Sequence, residues 1–102
     1  MPEAEWAQSV KWMYTVLVDK ARFGLDSREL LRELDQRGIQ ARPLWQPLHL
    51  SGAHRGAAST DCSAAERLNR QALSLPCSVG LDCISQQRVI ETLGEIHRKM
   101  NR

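Results

Sequence analysis

The sequence predicts an α+β domain: a small antiparallel or mixed sheet of about three strands with helices packed on one side. Three observations lead there. Short β-branched and aromatic runs alternate along the chain with stretches of helical apolar spacing. The helical stretches open on Asp or Ser, the residues that cap helix N-termini. With one exception the joining segments are short, as in a compact single domain.

The elements follow in order. Residues 1–10 are polar and aperiodic and are expected to form an arm, whose Trp6 should pack on something. Residues 11–19 carry Trp12, Tyr14, Val16 and Val18 on one face and Met13, Thr15 and Leu17 on the other. A strand apolar on both faces is normally covered on both faces, and a chain this short struggles to supply two layers. Asp26 and Glu29 form a capping box that opens a helix with Leu30, Leu31 and Leu34 as its buried stripe. Gly38 suits the left-handed position that ends it, and residues 39–45 return as a second strand. Residues 50–61 are small and polar and predict a structureless loop. Ser63 and Glu66 are expected to form a second capping box, with Leu68, Ala72 and Leu73 turned inward. Residues 73–77 form a brief extended segment closed by Pro76. Ser85 is expected to cap a last helix with Val89, Ile90, Leu93, Ile96 and Met100 inward and a Glu95–Lys99 pair outside.

Composition narrows the function classes. The chain has 102 residues, 42% hydrophobic and 25% charged, which allows one modest core. Net charge is +2 with no block of like charges, which points away from a nucleic-acid tail or a polybasic membrane anchor. The arginines do not interleave with the tryptophans as in a base-stacking platform. No apolar run approaches the ~18–20 residues that span a bilayer. The acidic first residues lack the layout of a secretory signal. Cys62, Cys77 and Cys83 are odd in number and form no C-x-x-C pair, so a reducing compartment, the cytoplasm, is expected.

Residues 38–49 concentrate the chemistry. Pro43 and Pro47 stiffen the exit from the second strand, and Arg42, Trp45 and His49 stand between and beyond them. Proline fixes its own φ and holds the preceding residue extended, so this is a rigid rim able to present polar side chains. The same pattern also fits an ordinary strand edge followed by a loop. His49, His54 and Cys62 have the spacing H-x4-H-x7-C, which matches no standard zinc pattern. Cys77 beside Pro76 is expected in the core and inert. His97 is expected at the boundary of the last helix, near its C-terminus. A Gly-rich phosphate loop and a nucleophile elbow are both missing.

Trp12-Met13-Tyr14, then Gly38-Ile39-x-x-Arg42-Pro43-x-Trp45-x-Pro47-Leu48-His49, then Leu73-Ser74-Leu75-Pro76 closely resembles the C-terminal part of the DegT/StrS-type PLP-dependent sugar aminotransferases. These three motifs and the helix between the first two stand in family order, and the resemblance spans residues 6–100. The form of the rim is most similar to members acting on UDP-linked 4-keto-6-deoxy amino sugars.

The resemblance implies the small domain of a fold-type I transferase over residues 11–102. In the family the large domain holds the Schiff-base lysine, the carboxylate facing the pyridinium nitrogen and the phosphate cradle. Lys11, Lys20 and Lys99 are the only lysines here and none has the family's lysine setting. The chain alone is therefore expected to bind no cofactor, to carry no catalytic residue and not to transaminate. By position, His49 resembles a histidine at the mouth of the site near the sugar nucleotide, with Arg42 and Trp45 on the strand leading to it. Arg42 offers a planar fork for carboxylate or phosphate, and Trp45 a face for stacking. After His49 the sequence departs from the family pattern. Expected partners are a second copy of the chain, a separate PLP-binding large domain, and a sugar nucleotide. A non-enzymatic regulatory or scaffold module is the alternative.

Overall fold

The computed structural model describes residues 3–102; Met1 and Pro2 of the expected arm lie outside the described residues. The elements are β1 (Tyr14–Leu17), α1 (Lys20–Phe23), α2 (Ser27–Gln36), β2 (Arg42–Pro43), α3 (Ser63–Gln71), β3 (Ala72–Leu75) and α4 (Cys83–Met100), with two 3-10 turns at Leu48–Leu50 and Gly52–His54. The sheet is antiparallel throughout, in the order β1-β3-β2.

Pairing sets the faces. Val16 stands opposite Leu73 and Thr15 opposite Ser74, and directly opposed residues share a face. Val16 and Leu73 join Val18, Leu30, Leu34, Ile39, Val89 and Ile96 in one core, with α2 and α4 covering that face. Thr15 and Ser74 point the other way and bond hydroxyl to hydroxyl at 3.1 Å.

The α2 segment folds as its sequence dictates. Asp26 accepts the backbone N–H groups of Arg28 and Glu29, and Glu29 accepts the Asp26 N–H at 2.8 Å. The N–H of Glu29 is the chief cause that holds the Asp26 carboxyl below its ordinary range; the Asp26 N–H, then Lys20, does the same for Glu29. Leu30 and Leu34 are buried, while Leu31 is only half-buried. At the far end Gly38 takes φ +71. Its N–H reaches Asp35 O, and the Ile39 N–H reaches Leu34 O. This is a Schellman closure, with its apolar contact between Ile39 and Leu34 inside the core.

Several expectations are corrected. The first strand is shorter than residues 11–19 because its partner β3 has only four residues. The second strand shrinks from residues 39–45 to Arg42–Pro43, since Pro43 has no N–H with which to extend a ladder. Residues 20–23, which join the expected first strand to the expected first helix, themselves form α1, capped by Asp19 and ended by Gly24. Gly24 has φ +94, and a Cβ there would meet Met100 Cβ at 2.6 Å.

The later caps also differ. Ser63 makes no capping box: Cys62 holds the cap position of α3 without a side-chain bond, and Asp61 takes the Ser63 N–H. Ser85 does not cap α4; Asp82 does, accepting the Ser85 N–H at 2.6 Å. A carboxylate binds that N–H more strongly than a hydroxyl, so the helix starts earlier. Leu68 and Ile90 are exposed, and Ala72 and Leu73 are buried on β3 rather than on a helix. No Glu95–Lys99 ion pair forms among the described residues. Cys77 is half-buried, its thiol directed at the Trp12 carbonyl at 3.3 Å. Trp6 is 89% exposed and packs on little of this chain.

Candidate functional site

The Schellman closure at Gly38 aims the chain along the sheet, and Arg42 pairs with Ser74 and Pro43 with Leu73. Beyond Pro43 the ladder stops, and the rim is held by side chains. Asn69 of α3 donates its amide hydrogens to Leu44 O at 2.8 Å and Trp45 O at 2.9 Å. Gln46 caps the next turn by donating to Leu50 O. The loop expected to be structureless thus opens with two 3-10 turns; the Leu50 N–H bonds Pro47 O, and Ser51 Oγ accepts the Ala53 N–H.

The three candidate residues have separate settings. Arg42 is exposed on edge strand β2, and its guanidinium has no hydrogen-bond or ion-pair partner among the described residues. Trp45 is exposed and meets Trp12 edge to face, with ring centroids 5.7 Å apart. Trp12 precedes β1 and Trp45 follows β2, so this contact links the chains leaving the sheet's two edges. His49 lies in the middle of the first 3-10 turn, with its Nε2 2.9 Å from Glu66 Oε1. Arg70 Nη1 stands 3.6 Å from the other Glu66 oxygen. No hydrogen bond, ion pair or ring contact joins any two of Arg42, Trp45 and His49 among the described residues.

Sequence reasoning missed Trp12, Glu66 and Asn69 as parts of this site. By its position Glu66 reads as part of a capping box, which does not form. The available signal was spacing: Glu66, Asn69 and Arg70 stand at i, i+3 and i+4, one polar face of α3.

The rim offers a free guanidinium, an indole face and an imidazole with Nδ1 unpartnered among the described residues. These groups bind anions and rings. The described residues hold no group of three or more His, Cys, Asp or Glu placed for a metal ion, and His49 is already engaged by Glu66.

Nor do the lysines suit a cofactor imine. Lys20 is paired with Asp26 at 3.5 Å and Glu29 at 3.0 Å on the surface. Lys11 precedes β1 at φ +51, and Lys99 lies in the last turn of α4. The described residues do not form a seat for pyridoxal phosphate. An apolar groove of about 580 Å³, lined among others by Val16, Leu17, Phe23 and Leu93, opens at the β1 edge, opposite the edge that leads to the rim.

The fold is an α+β domain, a three-stranded antiparallel sheet backed by helices and ending in a stiff rim that carries Arg42, Trp45 and His49. The model of the DegT/DnrJ/EryC1/StrS aminotransferase family matches residues 1–94, and the chain belongs to that family. It is 33% identical over 89 residues to GDP-perosamine synthase of Caulobacter vibrioides, covering 85% of this chain and 23% of that protein. It is 32% identical over 97 residues to EpsN of Bacillus subtilis, assigned as a pyridoxal phosphate-dependent aminotransferase, covering 91% of this chain and 24% of EpsN.

Solved structures share the fold. Helicobacter pylori PseC, an aminotransferase of pseudoaminic acid biosynthesis, superposes with a TM-score of 0.71 at 22% identity, over 85% of this chain and 24% of PseC. Spr1654 of Streptococcus pneumoniae, assigned as a sugar aminotransferase and solved in its PMP form, gives 0.69 at 22% identity, over 86% of this chain and 22% of that one. The chain spans about a quarter of the length of these relatives. No helix among the described residues is long and apolar enough to cross a membrane.

Proposed function

We propose that this chain forms the small-domain wall of a sugar-nucleotide aminotransferase site and is catalytically incomplete alone. A PLP-holding large domain, separate from the residues described, supplies the lysine and the cofactor chemistry. The substrate class is a 4-keto-6-deoxy sugar nucleotide. The observation that carries the reading is His49, held on a rigid rim with one ring nitrogen unpartnered among the described residues, on a chain whose Arg42 is likewise unpaired among them and whose Trp45 is exposed. Arg42 meets phosphate, Trp45 a ring, and His49 a polar group of the ligand.

Co-expression with a family large domain tests this. A cofactor absorbance band and transamination should appear only when both parts are present. His49→Ala should lower the activity of the pair by about tenfold or more, the loss of one hydrogen bond to a charged group. Unchanged activity would remove His49 from the site.

Self-association is a second reading, favoured by Tyr14 and Leu17, which are 55% and 63% exposed on edge strand β1. That edge has four residues without proline or charge, whereas β2 is blunted by its length and by Pro43. Sedimentation of the chain should then give a dimer or larger species. A compact monomer at high concentration would sink it.

A further inference from the structure

We propose that Glu66 and Asn69 on α3 are positioning residues for the rim: Asn69 fixes its backbone, and Glu66 fixes the His49 ring so that Nδ1 is the nitrogen offered to a ligand. This rests on the reading of the rim as a site wall. A histidine on a 3-10 turn beside a small-residue loop has no local restraint on its ring. Yet the His49 side chain is only 18% exposed, and Glu66 stands at hydrogen-bond distance from Nε2.

An ionised carboxylate only accepts, so the nitrogen facing it carries a proton in either charge state of the ring. Nδ1 then serves the ligand, as acceptor when the ring is neutral and as donor when it is charged. Arg70 steadies the second oxygen of Glu66 from the same helix face.

Asn69 completes the arrangement. One side-chain amide donates to two consecutive carbonyls, which fixes the peptide planes on both sides of Trp45. Its own oxygen lies 3.4 Å from Arg28 Nη2, and that nitrogen also donates to Asn69 O at 3.2 Å. The buried Ser27 hydroxyl donates to Arg70 O. A continuous set of hydrogen bonds therefore runs from the core-anchored start of α2, through α3, to the rim.

The test uses the 15N-labelled chain and its Glu66→Ala, Glu66→Gln and Arg67→Ala variants. Arg67 is exposed on the same helix and serves as the control for helix stability. Side-chain spectra should show a His49 Nε2–H protected from exchange in the wild type, kept in Glu66→Gln and Arg67→Ala, and lost in Glu66→Ala. Titration with UDP-N-acetylglucosamine should show affinity about tenfold weaker in Glu66→Ala and largely recovered in Glu66→Gln.

An unchanged ring signal in Glu66→Ala overturns the inference, as does equal loss in Arg67→Ala. Loss of the signal with unchanged affinity overturns the link to the ligand. If the wild type binds no UDP-N-acetylglucosamine while the ring signals behave as expected, the site-wall reading falls and the positioning by Glu66 stands.

Discussion

The α2 helix and the rim that follows it are neighbours in sequence but are held by opposite means. The start of α2 is closed by bonds spanning two or three residues, from Asp26 to Arg28 and Glu29. Its end is closed by Gly38 and Ile39 reaching back to Asp35 and Leu34. The rim instead depends on bonds spanning 17 residues, from His49 to Glu66, and 25 residues, from Asn69 to Leu44. Local closure is settled when the helix forms. Distant closure waits for α3 to dock, so the rim owes its shape to the rest of the domain.

The largest test of this contrast is Leu34→Ala. Leu34 is fully buried and makes both the stripe of α2 and the contact with Ile39. Its truncation should cost about 2–5 kcal/mol in denaturant unfolding. Rim and helix should be lost together, because Leu34 belongs to the core on which the whole sheet is packed. A loss below this range would show that the core collapses around the gap.

Asn69→Asp should separate the two regions. It replaces two donors by acceptors facing the Leu44 and Trp45 carbonyls, at a cost of about 1–3 kcal/mol. Amide exchange should quicken over residues 44–50 while the amides of α2 keep their protection. Equal loss in both regions would contradict a rim held separately by α3.

The smallest effect concerns acid. The carboxyls of Asp26, Asp61 and Asp82 titrate below their usual range, chiefly because backbone N–H groups of Glu29, Ser63 and Ser85 respectively bond them. Glu29 and Glu33 are lowered too, the first mainly by the Asp26 N–H and the second mainly by Arg37. A lowered folded value means the stabilisation is complete above the unfolded carboxylate range, about pH 4, and is lost as pH falls through the folded value. Thermal melts should therefore fall on acidification through and below that range. Asp26→Asn, which still caps but does not ionise, should flatten part of that dependence. A profile as steep as the wild type's would remove the Asp26 cap as a source.

The legible parts of the fold were those with a local cause. Asp26, Glu29 and Gly38 announce their roles because each acts on backbone groups within a few residues. Their bonds need no partner from elsewhere. Ser63 and Ser85 misled for a related reason: a nearby Asp competes for the same N–H, and the carboxylate wins. Leu68 misled because helical spacing says which residues share a face but not whether anything covers it.

By itself the sequence determined the class of the domain, the extent of α2, the family, and the stretch in which Arg42, Trp45 and His49 stand. Those follow from local hydrogen bonding, apolar periodicity and motif order, all properties of residues close along the chain. Only the tertiary structure decided that β3 lies between the other strands, that Trp12 meets Trp45, and that Glu66 holds His49 while Asn69 holds the backbone beside it. A side chain that can cap its own helix or reach a distant ring carries no local mark of which it does. The choice falls to docking, which sets α3 against the rim.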